Sequence, residues 1–121
     1  MKRKNILLIV IVAFLAIAGF WFYNQKPAEI ILFYGDGCPH CIVVEDFIKS
    51  NNIEQKVKFT RMEVFNNQNN AELLAKKAVS CNVDISRGAP VPFLWDAGKC
   101  FIGDQDIIKF FEKEIRPIIQ K

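Results

Sequence analysis

Two cysteines stand two residues apart in Cys38-Pro39-His40-Cys41, directly after the apolar run from Glu29 to Tyr34. No other stretch limits the fold so strongly. The run reads as a buried β-strand, and Gly35-Asp36-Gly37 as the turn that ends it. From Pro39 to Asn51 the chain reads as a helix. Val44, Phe47, Ile48 and Asn51 recur at helical spacing, with Glu45, Asp46 and Lys49 off that face. Pro39 would be the first helical residue, where a missing N–H costs nothing. Cys38 then falls at the N-cap, facing unpaired N–H groups and the positive end of the helix dipole. That setting favours a thiolate, making Cys38 the nucleophile and Cys41, one turn on, its partner in a disulfide. The same pair would also serve as half of a zinc site. Such sites are usually built from two close pairs, and Cys81 and Cys100 are too far apart to form the second. Redox chemistry fits the spacing better.

The first 25 residues read as a unit apart. Lys2, Arg3 and Lys4 are followed by Ile6 to Tyr23, which carry no charge. Eighteen helical residues span about 27 Å, enough for a bilayer core. The basic start would keep the N-terminus in the cytoplasm and place the rest outside. Two versions are open. Ala16-Ile17-Ala18 suits signal-peptide cleavage, which would release a secreted domain. Phe20-Trp21-Phe22-Tyr23 suits the aromatic belt of an uncleaved anchor, the version we favour. Without Lys2, Arg3 and Lys4 the chain's 16 basic residues fall to 13, matching its 13 acidic ones. The remaining domain is neutral, which argues against nucleic acid as a partner. Four cysteines on the outer side of a membrane suit an oxidising compartment.

After the polar linker Asn24–Ala28, residues 26–121 read as one domain in the order β-α-β-α-β-β-α. The second strand is expected over Lys56–Val64. Its apolar positions change phase between Phe59 and Met62, which calls for a bulge or for burial on both faces. A helix over Ala71–Cys81 follows the polar turn Asn66–Asn70, with Ala71, Leu74, Ala75 and Ala78 on one face. Pro92–Asp96 and Cys100–Ile102 are short strands joined by the turn Ala97-Gly98-Lys99. Asp104 is expected to cap the last helix, whose apolar face is Ile107, Ile108, Phe111, Ile115, Ile118 and Ile119. Pro117 is expected to kink or end it near Arg116. The first two strands should be parallel and the hairpin antiparallel, giving a four-stranded mixed sheet flanked by helices.

With its Cys-x-x-Cys after the first strand, this order resembles the thioredoxin/glutaredoxin superfamily. Pro90-Val91-Pro92-Phe93-Leu94 and Ile102-Gly103-Asp104-Gln105-Asp106 carry the resemblance further, the latter similar to the glutaredoxin segment Ile-Gly-Gly-x-Asp. The resemblance implies a cis Val91–Pro92 bond facing Cys38, with the Val91 backbone free to pair with a substrate. Asp104 departs from the glutaredoxin pattern, because a carboxylate there should repel the anion of glutathione. Pro39-His40 matches the DsbA-type oxidases, and Glu45 resembles an acid found in them. The Asn66–Val91 stretch, however, is too short to hold their inserted helical domain.

The resemblance therefore implies a membrane-tethered thiol–disulfide oxidoreductase acting on protein cysteines. Its catalytic residues would be Cys38, Cys41, Pro39, His40 and Pro92, with Val91 and Pro92 binding substrate. It implies no cofactor beyond the Cys38–Cys41 disulfide, and no metal. Cys38 would form a mixed disulfide and Cys41 resolve it, with His40 helping to hold the Cys38 thiolate. The direction is expected to be oxidation, with a membrane partner such as a quinone-linked oxidase. Reduction or isomerisation fed by a transmembrane reductase is the alternative. A module binding Cu(I) or Zn through Cys38 and Cys41 is the reading from another class. Cys81 and Cys100 are expected to form a structural disulfide, with free thiols or a second redox pair also open.

Overall fold

A computed structural model of the chain describes residues 2–23 and 29–120. The expected linker, and with it the boundary after residue 25, lies outside the described residues. Helix α1 (Arg3–Tyr23) buries none of its residues and is long and apolar enough to cross a membrane. The elements that follow are β1 (Ile30–Tyr34), α2 (Pro39–Ser50), α3 (Ile53–Lys56), β2 (Thr60–Glu63), α4 (Gln68–Ser80), β3 (Phe93–Asp96), β4 (Lys99–Ile102) and α5 (Asp104–Ile119).

The sheet order is β2-β1-β3-β4. β1 runs parallel to β2 and antiparallel to β3, which pairs antiparallel with β4. Side chains alternate across β1, so its unbroken apolar run feeds two cores at once. Leu32 packs with Val44, Ile48, Leu94, Ile107 and Phe111 beneath α2 and α5. Ile31 and Phe33 pack with Leu74, Ala78 and Phe93 beneath α4.

The expected strand over Lys56–Val64 is corrected. Residues 53–56 form a helical turn, closed by the Val57 N–H on the Ile53 carbonyl at 2.8 Å, and β2 is only four residues long. No bulge accompanies the apparent change of phase. Val57 and Phe59 enter the α2/α5 core, whereas Met62 and Val64 enter the α4 core. Odd and even positions are each apolar where they meet a core, and Arg61 keeps the odd register by pairing with Glu45 of α2 and Glu54 of α3.

Three expectations about α5 also change. Gly103, at φ 88°, is the N-cap, and Asp104 is the first helical residue. Pro117 lies inside the helix, which runs on to Ile119. At the last turn a proline removes only one ladder bond, so the helix outlasts it. The buried face ends at Ile115 and includes Phe110, while Ile118 and Ile119 are exposed. Phe110 stacks between Phe101 and Phe111, at centroid distances of 4.9 and 5.4 Å.

Candidate functional site

β1 ends at Tyr34, and the turn that follows delivers Cys38 to the start of α2. Gly37 takes φ 74°, a conformation that costs glycine little, and the Cys38 N–H closes the turn on the Gly35 carbonyl at 3.2 Å. Cys38 is the N-cap. Its sulfur accepts the Cys41 N–H at 3.3 Å, and its carbonyl accepts the Ile42 N–H at 3.0 Å. Pro39 occupies the first helical position. Both cysteines are free thiols. Cys38 is half-buried, and Cys41 is only 6% exposed. Burial, and then its hydrogen bond with Cys38, push the Cys41 thiol up to about 12. The pair is thus asymmetric, with one accessible sulfur at a helix end and one buried sulfur that holds its proton.

A second layer fastens this turn. The Glu63 carboxylate, at the end of β2, accepts the N–H groups of Asp36 (3.2 Å), Phe65 (2.7 Å) and Asn66 (2.8 Å). Desolvation raises this carboxyl, but the three N–H donors outweigh it and hold it below the usual carboxylate range. The Phe65 ring lies over Gly35, where a Cβ would stand 2.2 Å from it. Sequence reasoning missed Glu63. The one available signal was an acid at a strand end, three residues before the Asn-rich turn.

The β1–β3 register pairs Phe33 with Phe93, which sets Pro92 level with the end of β1 from which the cysteine turn departs. The Val91–Pro92 bond is cis. Pro92 is fully buried, and Val91 packs partly into the α4 core. The Pro92 carbonyl accepts the Gly103 N–H at 3.0 Å. The next residue, Asp104, reaches across to α2, where its Oδ2 lies 3.1 Å from His40 Nδ1. That hydrogen bond, ahead of a smaller opposing effect of burial, holds the Asp104 carboxyl below its ordinary value. An ionised carboxylate only accepts, so Nδ1 carries the hydrogen. Sequence reasoning treated His40 and Asp104 separately, and the fold brings them together.

Cys81, the C-cap of α4, is bonded to Cys100 of β4, with the Cα atoms 6.3 Å apart. Cys100 pairs across the sheet with Trp95, which itself pairs with Ile31, and it packs on the α4 face. The bridge therefore lies on the face away from α2, toward the far end of the sheet from Cys38. Glu45 is taken up by Arg61 and Lys49 (3.4 Å). Among the described residues, no group of three His, Cys, Asp or Glu side chains is arranged to hold a metal ion.

No family model matches the chain, and no curated protein matches it. Similar solved structures are glutaredoxins. The wheat glutaredoxin is 18% identical, over 78% of this chain and 77% of that one, at a TM-score of 0.51. The Archaeoglobus fulgidus protein is 22% identical, over 78% and 92%, at 0.49. Glutaredoxin 2 of Chlamydomonas reinhardtii is 21% identical, over 74% and 81%, at 0.49. With the sheet order above, the likeness to the wheat protein shows that the chain has a thioredoxin/glutaredoxin-like fold. It is a four-stranded mixed sheet flanked by helices, preceded by one apolar helix.

Proposed function

We propose that this chain is a thiol–disulfide oxidoreductase that exchanges disulfides with protein cysteines through Cys38 and Cys41. The asymmetry of the pair carries the reading. Cys38 is accessible at a helix N-cap, which suits the sulfur that meets a substrate. Cys41, buried one turn on, suits the sulfur that resolves the mixed disulfide. Val91 and Pro92, level with the end of β1 from which the cysteine turn departs, would shape the substrate surface.

In its finer form, the protein is an oxidase held at the cytoplasmic membrane by α1. The N-terminus is cytoplasmic, the domain extracytoplasmic, and a membrane quinone-linked oxidase restores the disulfide. The charge-free length of α1 after three basic residues supports the anchor and its orientation. The Pro39-His40 dipeptide supports the direction. The reduction potential of the Cys38–Cys41 pair tests it, with metal content checked on purification. A value near that of DsbA, about −120 mV, is expected. One near thioredoxin's, about −270 mV, would make the protein a reductase. Stoichiometric metal blocking both thiols would make it a binding module. N-terminal sequencing of the membrane fraction tests the anchor, which fails if the mature chain starts at Gly19.

A further inference from the structure

His40 is 72% exposed, and the one hydrogen bond of its ring among the described residues runs from Nδ1 to Asp104. Asp104 is itself fixed. Its other oxygen, Oδ1, accepts the Gln105 N–H at 2.8 Å at the start of α5, and its side chain is only 23% exposed. A carboxylate held this way selects the Nδ1–H tautomer of the neutral ring, in which Nε2 carries no hydrogen. The same division of labour, a base oriented by a third group, activates nucleophiles in many enzymes. Other charged side chains on the segments that meet here include Asp36 in the cysteine turn, Glu45, Asp46 and Lys49 further along α2, Asp106 in the first turn of α5, and Asp84 and Arg87 before Pro92. None of them bonds the ring.

We infer that His40 is a catalytic base and acid in disulfide exchange, and that Asp104 is the positioning residue that fixes the tautomer it needs. This rests on the thiol–disulfide reading above and adds the path of the proton. An incoming substrate thiol gives its proton to Nε2 and attacks Cys38 Sγ. A bond forms between the substrate sulfur and Cys38, and the Cys38–Cys41 bond breaks. The substrate sulfur is oxidised, and Cys41 leaves as the reduced sulfur. His40 is exposed and Cys41 is buried, so the proton held on Nε2 returns to the departing sulfur by way of solvent. The second peptide thiol then attacks the substrate sulfur of the mixed disulfide: the peptide disulfide forms, the bond to Cys38 breaks, Cys38 leaves with the second proton, and the ring is unchanged.

The test uses the oxidised full-length chain in detergent and a synthetic peptide with two cysteines. Exchange is followed by acid quench and mass analysis. Asp104→Asn should slow exchange about tenfold near pH ~6.5, a fraction of what general acid–base catalysis usually contributes. The loss should close above about pH 9, where a peptide thiol of ordinary pKa ionises unaided. Asp104→Glu should restore most of the rate, and His40→Gln should add nothing to the Asp104→Asn defect. Nitrogen-15 spectra of the neutral ring should show Nδ1–H in the parent and a mixture in Asp104→Asn. An unchanged rate near pH ~6.5, the same loss at every pH, or an Nε2–H ring in the parent each overturns the inference and leaves the thiol–disulfide reading standing. A parent that never exchanges with the peptide overturns both.

Discussion

His40 Nδ1 lies 3.1 Å from Asp104 Oδ2, so the first turns of α2 and α5 are joined by side chains 64 residues apart. The preceding residue, Gly103, donates its N–H to the Pro92 carbonyl at 3.0 Å. One dipeptide, Gly103-Asp104, therefore touches both the cysteine helix and the cis-proline segment. Asp104 does so because its oxygens divide, Oδ2 turning to the imidazole while Oδ1 accepts the Gln105 N–H of its own helix. Where a bare helix end would offer an anion site, this chain presents an occupied carboxylate.

The buried Cys41 gives reduced protein a distinctive alkaline behaviour. Its native thiol is pushed up to about 12 from an ordinary 9.0, so the folded state keeps a proton that the unfolded chain gives up. The stability it contributes is complete below about pH 9 and drains away between about 9 and 12. Denaturant curves of the reduced parent should lose up to about 1.4 kcal/mol per pH unit in that range, relative to Cys41→Ser. Parallel pH dependences for the two proteins would show that the burial of this thiol is not felt.

Glu63 should govern the order of the cysteine turn. In Glu63→Gln, backbone amides of Asp36, Phe65 and Asn66 should exchange with solvent faster, while those in the middle of α5 stay unchanged. Its carboxyl is held below the usual range, so its contribution is present above the unfolded carboxylate value. That contribution disappears as pH falls through the lower native value. Acid should therefore loosen the same three amides in the parent. Uniform exchange across the domain in both cases would remove this role.

The Cys81–Cys100 bridge should stabilise without taking part in exchange. Replacing both cysteines by serine should cost about 3 kcal/mol for a loop of this length, read from denaturant unfolding. The Cys38–Cys41 potential should stay where it is, because the bridge lies on the opposite face and toward the far end of the sheet. A shifted potential would mean that the two pairs communicate.

Much of this architecture is legible in the sequence because its signals are local. The run Ile30–Tyr34, the turn glycines, the helical spacing of Val44 and Ile48, and the Ala97-Gly98 turn each report on neighbours within a few residues. The second strand misled for a physical reason. Val57 and Phe59 are apolar because they plug the α2/α5 core from a connector, and periodicity does not separate that from strand pairing. What stayed hidden are contacts between distant residues, His40 with Asp104 and Glu63 with the Asp36 amide. Their partners are chosen by the register of β1, β3 and β4 and by the close of β2, and no local pattern carries that information. Asp104 looked like a cap because aspartate at a helix start usually is one.

The division of roles between the two sulfurs can be read directly by trapping. Full-length Cys41→Ser and Cys38→Ser proteins, each mixed with a peptide disulfide, are separated without reductant and mapped by mass. Cys41→Ser should accumulate a mixed disulfide at Cys38, and Cys38→Ser should form almost none, because its remaining sulfur is buried and protonated. An adduct at Cys41, or none in either protein, would contradict the account.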